Sequence, residues 1–236
     1  SKTVKEIDEY IDKANEQSKT ISDLHINIIT TLADIVESRD ETTGNHVKRT
    51  AEYCAMLARK LRSAGKYTDV LTDEYINILT IAAPLHDIGK IKIPDAILNK
   101  PGRLTDEEFD VIKTHTTLGG EMLEDAANNL GETEYLKMAK DIATCHHEWF
   151  DGGRRGYPAG IAGAEIPLSA RIMAVADVLD ALLSKRPYKE GYSLDQAFEI
   201  MLEEKGTHFD PDVIEALEDS RGEIEAIIKI YSKASV

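Results

Sequence analysis

An all-α fold is predicted for this chain of 236 residues, and three features of the sequence predict it. Apolar residues recur at helical spacing along most of the length. Two pairs, Thr105 with Glu108 and Ser193 with Gln196, have the capping-box spacing that opens a helix. No run alternates apolar and polar residues as a half-buried strand would. The length suits one sizeable core with an appendage, so the expected division is an N-terminal linker or coiled-coil helix over 1–36 and a globular domain over 37–236.

The first element is a long helix. Val4, Ile7, Ile11, Ala14, Ser18, Ile21, His25, Ile28, Leu32 and Ile35 alternate in steps of three and four, which is a heptad seam. Such a seam either packs on its own domain or pairs with a second helix in a coiled coil, and His25 within it reads as structural. A helix from Asn45 to Leu61 follows, burying Val47, Ala51, Cys54, Leu57 and Leu61, with His46 at its start. The third runs from Thr72 to Ile88 with Tyr75, Ile78, Leu79 and Ala82 inward, kinked or restarted by Pro84. Ile93-Pro94-Asp95 opens a short turn or helix, and Lys100-Pro101-Gly102 is a loop.

The Thr105 capping box starts the helix that delivers His115, and Gly119-Gly120 is expected to break or bend it. A helix from Thr133 to Glu148 carries His146 and His147. Five glycines and a proline between Asp151 and Gly163 make a long loop, a feature more often functional than idle. Ala170–Leu183 reads as a buried helix bearing Asp177 and Asp180. Ser193 caps the next one, Asp210-Pro211 fits N-cap and N1 of another, and a last stretch runs to Tyr231.

With 43 acidic and 28 basic residues the formal charge is -15, a field that repels polyanions and argues against bulk nucleic-acid binding. A small anion held by metals and local lysines remains compatible with it. Cys54 and Cys145 show no metal-ribbon or redox spacing and read as free thiols. No apolar run of membrane length and no leader is evident, so the covered chain is expected to be cytoplasmic. The first residue is Ser, which fits a segment of a longer protein.

The chemistry gathers around Leu85-His86-Asp87-Ile88-Gly89-Lys90. An adjacent His and Asp offer two ligands at one point of the backbone, and a carboxylate there can bridge two metal ions. One such pair means little alone. The weight comes from the set of His46, His115, His146, His147 and Asp177, the last a carboxylate in an apolar helix, where it is costly unless paired or metal-bound. Taken alone, Asp177 fits equally a buried salt bridge to Arg171 or Lys185. Mixed imidazole and carboxylate ligands suit a transition metal better than calcium or magnesium. Adjacent His146 and His147 would point about 100° apart on a helix, so that both serve metals or one stands behind the other.

These residues, with Ile93-Pro94-Asp95, Leu98 to Leu104, His146-His147-Glu148, Asp151-Gly152, Gly156-Tyr157-Pro158, Arg186-Pro187-Tyr188-Lys189 and Gly206 to Pro211, resemble the HD-GYP family of HD-domain metal-dependent phosphohydrolases over about 40–217. The resemblance implies an HD-domain helical bundle that hydrolyses cyclic di-GMP to pGpG and, in some members, onward to GMP. It implies His46, His86, Asp87, His115, His146, His147 and Asp177 as metal ligands with Asp87 bridging. His86, Asp87 and Lys90 would be catalytic, and Lys90, Tyr157, Arg186 and Lys189 would meet the substrate. Two divalent ions are expected, iron or manganese first and nickel or zinc as alternatives. Some members hold a third metal with a glutamate four residues before the first histidine, where this chain has Thr42, with Glu41 one step off.

The loop also departs from the family, with Gly153-Arg154-Arg155 where many members have one small residue; its arginines are either solvated or reach a phosphate. The heptad seam predicts a homodimer through the N-terminal helix, and the family's habits add two candidate partners: an upstream sensor or receiver domain and, as in some members, a diguanylate cyclase domain at the Gly-Tyr-Pro loop. The alternative function is a catalytically weak module that binds a cyclic dinucleotide and regulates a partner. His208 reads as structural.

Overall fold

The structure, a computed structural model, describes residues 2–39, 45–184 and 191–232. It is all-α, as the helical spacing predicts. Helix α1 (Lys2–Glu37) leads into α2 (His46–Ser63) and α3 (Asp73–Ala82). Two 3₁₀ turns, Ala83–Leu85 and Ile88–Lys92, precede the one-turn α4 (Asp95–Leu98) and the long α5 (Asp106–Leu130). After α6 (Glu134–Cys145) and the glycine-rich loop come α7 (Leu168–Leu183), α8 (Leu194–Glu203), α9 (Pro211–Glu218) and α10 (Arg221–Ser232). No helix among the described residues is long and apolar enough to cross a membrane.

Helices α2 and α7 run through the centre; α7 is apolar almost all round, whereas α2 is amphipathic and turns Lys48, Glu52 and Arg59 to solvent. Tyr53, Cys54, Leu57 and Leu61 of α2 meet Ile172, Met173, Val175 and Leu179 of α7, all fully or nearly fully buried. Around this pair pack α3, α6 and α9. Both capping boxes form, each with side chain and backbone bonded reciprocally. Asp210 caps α9 by accepting from the Asp212 amide, with Pro211 at the first helical position. Cys54 and Cys145 are free thiols.

Three expectations are corrected. The third helix stops at Ala82, because Pro84 has no amide hydrogen to continue the ladder, and His86-Asp87 sits between two 3₁₀ turns instead of on a helix with Lys90. Gly119-Gly120 does not break α5, which continues to Leu130. These glycines permit close packing: a methyl on Gly119 would lie 3.2 Å from the Gly89 nitrogen, and one on Gly120 would meet the Thr144 hydroxyl of α6. The sixth helix ends at Cys145, so His146 caps it and His147 lies in the turn beyond.

Of the heptad seam, Ile7, Ile11, Ile21, Ile28, Leu32 and Ile35 are each about half exposed, while Ala33, Val36 and Glu37 in the last turns are buried. The side chains of Val4 and His25 lie outside the described residues.

Candidate metal centre

Five elements bring the candidate residues together. His46 opens α2, His86 and Asp87 stand between the 3₁₀ turns, His115 comes from α5, His146 and His147 from the end of α6, and Asp177 from α7. Asp87 is at the middle. Its Oδ1 lies 3.1 Å from His115 Nε2 and 3.7 Å from His146 Nε2, while Oδ2 lies 3.3 Å from His86 Nε2 and 2.8 Å from Lys90 Nζ. On the other side of His86, Asp177 Oδ1 is 3.9 Å away and also 3.7 Å from His46 Nε2. Donor atoms of Asp87, His115, His146 and His147 lie within 4.8 Å of one another, and so do those of Glu37, His46 and His86.

The rings are oriented from behind. Nδ1 of His86 donates to the Ala83 carbonyl at 3.0 Å, that of His115 to Ile112 at 2.7 Å, and that of His146 to Ile142 at 2.9 Å. Each such bond fixes the proton on Nδ1 and leaves a lone pair on Nε2. The Nε2 atoms of all three and Oδ1 of Asp87 are buried with no hydrogen-bond donor. Acceptors facing acceptors in a dry interior are costly unless a cation lies between them. The donor set therefore fits a metal.

His46 is aimed differently, with Nδ1 at 2.8 Å from Asp180 Oδ2. Asp180 is itself gripped by Arg49, through Nε at 2.6 Å and Nη2 at 2.9 Å. This carboxylate-histidine pair is a common support behind a metal-binding imidazole. Arg171, a candidate partner for Asp177, bonds Asp210 instead at 2.5 Å, which leaves Asp177 facing the histidines.

Electrostatics follow from this geometry. Burial works against a charge on His86, yet the Asp87 and Asp177 carboxylates outweigh it and raise its pKa to about 9. Burial also opposes ionisation of Asp87, but Lys90 and His86 hold its carboxyl well below the usual range. His147 is pushed well below the ordinary histidine value by burial and by His146 and His115 beside it, and His146 is lowered chiefly by burial. A carboxylate field that attracts a proton to His86 attracts a dication more strongly, and neutral His146 and His147 are in the ligating form.

Lys90, expected at a phosphate, has its Nζ on Asp87 and 3.5 Å from Glu37. Glu37 and Asp180 are the residues that sequence reasoning missed. Tyr157 stacks on His147 at 4.8 Å between ring centroids. Its loop is tied back to the end of α6, for the Tyr157 amide bonds the His147 carbonyl at 3.1 Å and buried Glu148 accepts from the Ala159 and Gly160 amides at 2.7 and 3.0 Å. Arg155 lies over Trp149, which stacks on His208, and His208 stacks in turn on Phe209. Arg186, Lys189, Lys185, Glu41 and Thr42 lie outside the described residues.

The HD domain profile matches residues 30–213, and relatives of the cyclic di-GMP phosphodiesterase type match most of the chain. The chain belongs to the HD-domain family, in its HD-GYP branch. This HD-GYP chain is 48% identical over 206 residues to a cyclic di-GMP phosphodiesterase of Vibrio cholerae serotype O1, covering 87% of this chain and 41% of that protein. It is 42% identical to the cyclic di-GMP phosphodiesterase response regulator RpfG of Xanthomonas campestris, covering 85% and 53%. A 3'3'-cGAMP-specific phosphodiesterase 2 of Vibrio cholerae is 40% identical, with 85% and 35% covered. The chain thus spans about half or less of these relatives' lengths. The HD-GYP fold is shared with the crystal structure of a cyclic GMP-AMP specific phosphodiesterase of Vibrio cholerae, at a TM-score of 0.52 and 18% identity over 81% of this chain and 48% of that one.

Proposed function

We propose that this chain is a metal-dependent phosphodiesterase that opens cyclic di-GMP to linear pGpG. The observation that carries the reading is the convergence on the Asp87 carboxylate of the buried Nε2 atoms of His86, His115 and His146, none of which has a hydrogen-bond partner. In this reading Asp87, His115, His146 and His147 would hold one divalent ion, and His46, His86 and Asp177 would hold a second. Glu37 joins the second group. Iron or manganese suits the mixed set best, with nickel or zinc as alternatives. Bound ions of this kind polarise a phosphoryl oxygen and lower the pKa of water, which is the chemistry that phosphodiester hydrolysis needs.

The chain's own residues prepare the site for that chemistry. Backbone carbonyls behind His86, His115 and His146 fix their tautomers, and Asp180 with Arg49 aims His46. Lys90 keeps Asp87 ionised and in place, a positioning role in addition to any contact with phosphate. Tyr157 walls one side against His147, and Glu148 keeps the loop that carries it folded down. Arg186 and Lys189 are proposed to meet the phosphates of the substrate.

Cyclic di-GMP is preferred over 3'3'-cGAMP because relatives at 48% and 50% identity are named for the former, and those named for the latter reach 40%. The half-exposed stripe of isoleucines on α1 supports a homodimer formed through that helix. The test is a melting-temperature comparison on the manganese-loaded chain with cyclic di-GMP, 3'3'-cGAMP, pGpG and GMP. Cyclic di-GMP is expected to give the largest rise. Equal shifts from GMP, or none from either cyclic dinucleotide, would remove the substrate assignment.

A further inference from the structure

An apolar residue four positions into a capped helix often packs against the residue before the cap, yet Phe109 is 47% exposed. The other phenylalanines, Phe150, Phe198 and Phe209, are buried or partly buried. Phe109 is also fixed in place. The capping box of α5 sets its backbone, and Lys113 Nζ lies 5.5 Å from its ring centroid while held by Asp110 at 2.5 Å.

Its position relative to the metal centre gives the exposure a meaning. The Phe109 ring stands 6.4 Å from that of Tyr157, nearly perpendicular at 83°. Tyr157 in turn stacks on His147 and lies 6.3 Å from His115. Phe109 is therefore the next ring outward from two members of one metal-ligand group, on the same rigid helix as His115. The interior around Asp87 is filled by ligand side chains, so a phosphodiester reaching it must leave its bases at the rim. A base is a planar aromatic body, and an exposed aromatic side chain is its usual platform.

We propose that Phe109 is the stacking platform for one guanine of the substrate, a specificity-determining contact that selects a purine dinucleotide over smaller phosphodiesters. The inference rests on the phosphodiesterase reading above. It assigns the ring a place in substrate binding, with no part in metal binding.

The test compares KM for cyclic di-GMP in the manganese-loaded chain and its Phe109→Ala, Phe109→Leu and Phe109→Trp variants. Loss of base stacking, worth about 1–3 kcal/mol, converts to a KM rise of about 5- to 150-fold. Phe109→Ala and Phe109→Leu are expected to show that rise, and Phe109→Trp to restore KM to within about threefold of the parent. Leucine is the informative substitution, since it keeps apolar bulk and removes the aromatic face. A second readout is independent of turnover. Tryptophan emission of Phe109→Trp, with the parent's single Trp149 as background, is expected to be quenched on mixing with the dinucleotide, before product forms. Parent-like KM in Phe109→Leu, or unquenched emission in an active Phe109→Trp, would overturn the platform and leave the phosphodiesterase standing. A parent chain that opens no cyclic dinucleotide would overturn both.

Discussion

Substituting Gly89 by alanine tests whether the site depends on how closely two elements approach. A methyl at Gly89 would sit 1.9 Å from the His115 carbonyl oxygen and 2.6 Å from the Gly119 nitrogen, both backbone atoms. Neither can swing away as a side-chain tip could. Relief to the 3.0 Å below which real contacts essentially never fall requires the 3₁₀ turn Ile88–Lys92 and α5 to part by about 1 Å. That motion would carry Asp87 away from His115, now 3.1 Å apart across the centre. Overpacking of this kind costs about 1–3 kcal/mol, which for a chain of this size lowers Tm by roughly 2–12 °C. A misplacement of about 1 Å costs on the order of 100-fold in rate. Gly89→Ala is thus expected to lose about 100-fold in kcat/KM and to bind metal more weakly, measured by turnover and by metal content after gel filtration. Gly222→Ala, where a methyl meets nothing within 4 Å, is the matched control and should be neutral or slightly stabilising. A Gly89→Ala protein with parental metal content, Tm and turnover would refute the close-approach argument.

Other outcomes follow from particular contacts. Asp180→Asn removes the anion behind His46 and beside Arg49, so metal affinity should fall about 10- to 100-fold in a chelator competition. Unchanged affinity would mean that His46 is oriented by something else. Arg39 bonds the Lys90, Ile91 and Ile93 carbonyls and Asp95, tying the end of α1 to the turn after Asp87. Arg39→Ala should speed amide exchange over 88–93, and Arg39→Lys should not rescue it, because an ammonium lacks the forked geometry. Ile21→Asn with Ile28→Asn should convert a dimer to a monomer by light scattering with little change in the Tm of the globular domain, since both side chains are half exposed. Chelation should lower Tm, because a ligand present at 100 times its Kd stabilises by about 2.7 kcal/mol.

Much of the fold is legible wherever a local rule decides. The capping boxes at Thr105 and Ser193, the Asp210-Pro211 start of α9 and the buried stripe of α2 all lie where spacing predicts them. What escapes the sequence is the identity of the neighbour. Gly119-Gly120 reads as a break because glycine destabilises a helix locally, whereas its compensation lies in Gly89 and Thr144, far along the chain. His146 and His147 read as helical until the turn after Cys145 tilts their rings side by side, 4.0 Å between centroids.

The seven expected ligands come from five elements; residue chemistry gathers them as a set, and the family resemblance names all seven as ligands. Asp180 was accessible by the argument that singled out Asp177, since it too is a carboxylate in an apolar helix. Glu37 was not accessible, because it ends a helix whose heptad pattern gives no reason for a buried acid.

The most direct measurement is anaerobic incubation of the chain with cyclic di-GMP after loading with Mn²⁺ or Fe²⁺, with bound metal counted in the same sample and nucleotides separated by chromatography. Two bound ions, accumulation of linear pGpG, and no product from Asp87→Ala are expected. Two bound ions and a bound dinucleotide with no linear product would contradict the phosphodiesterase and leave a receptor in its place.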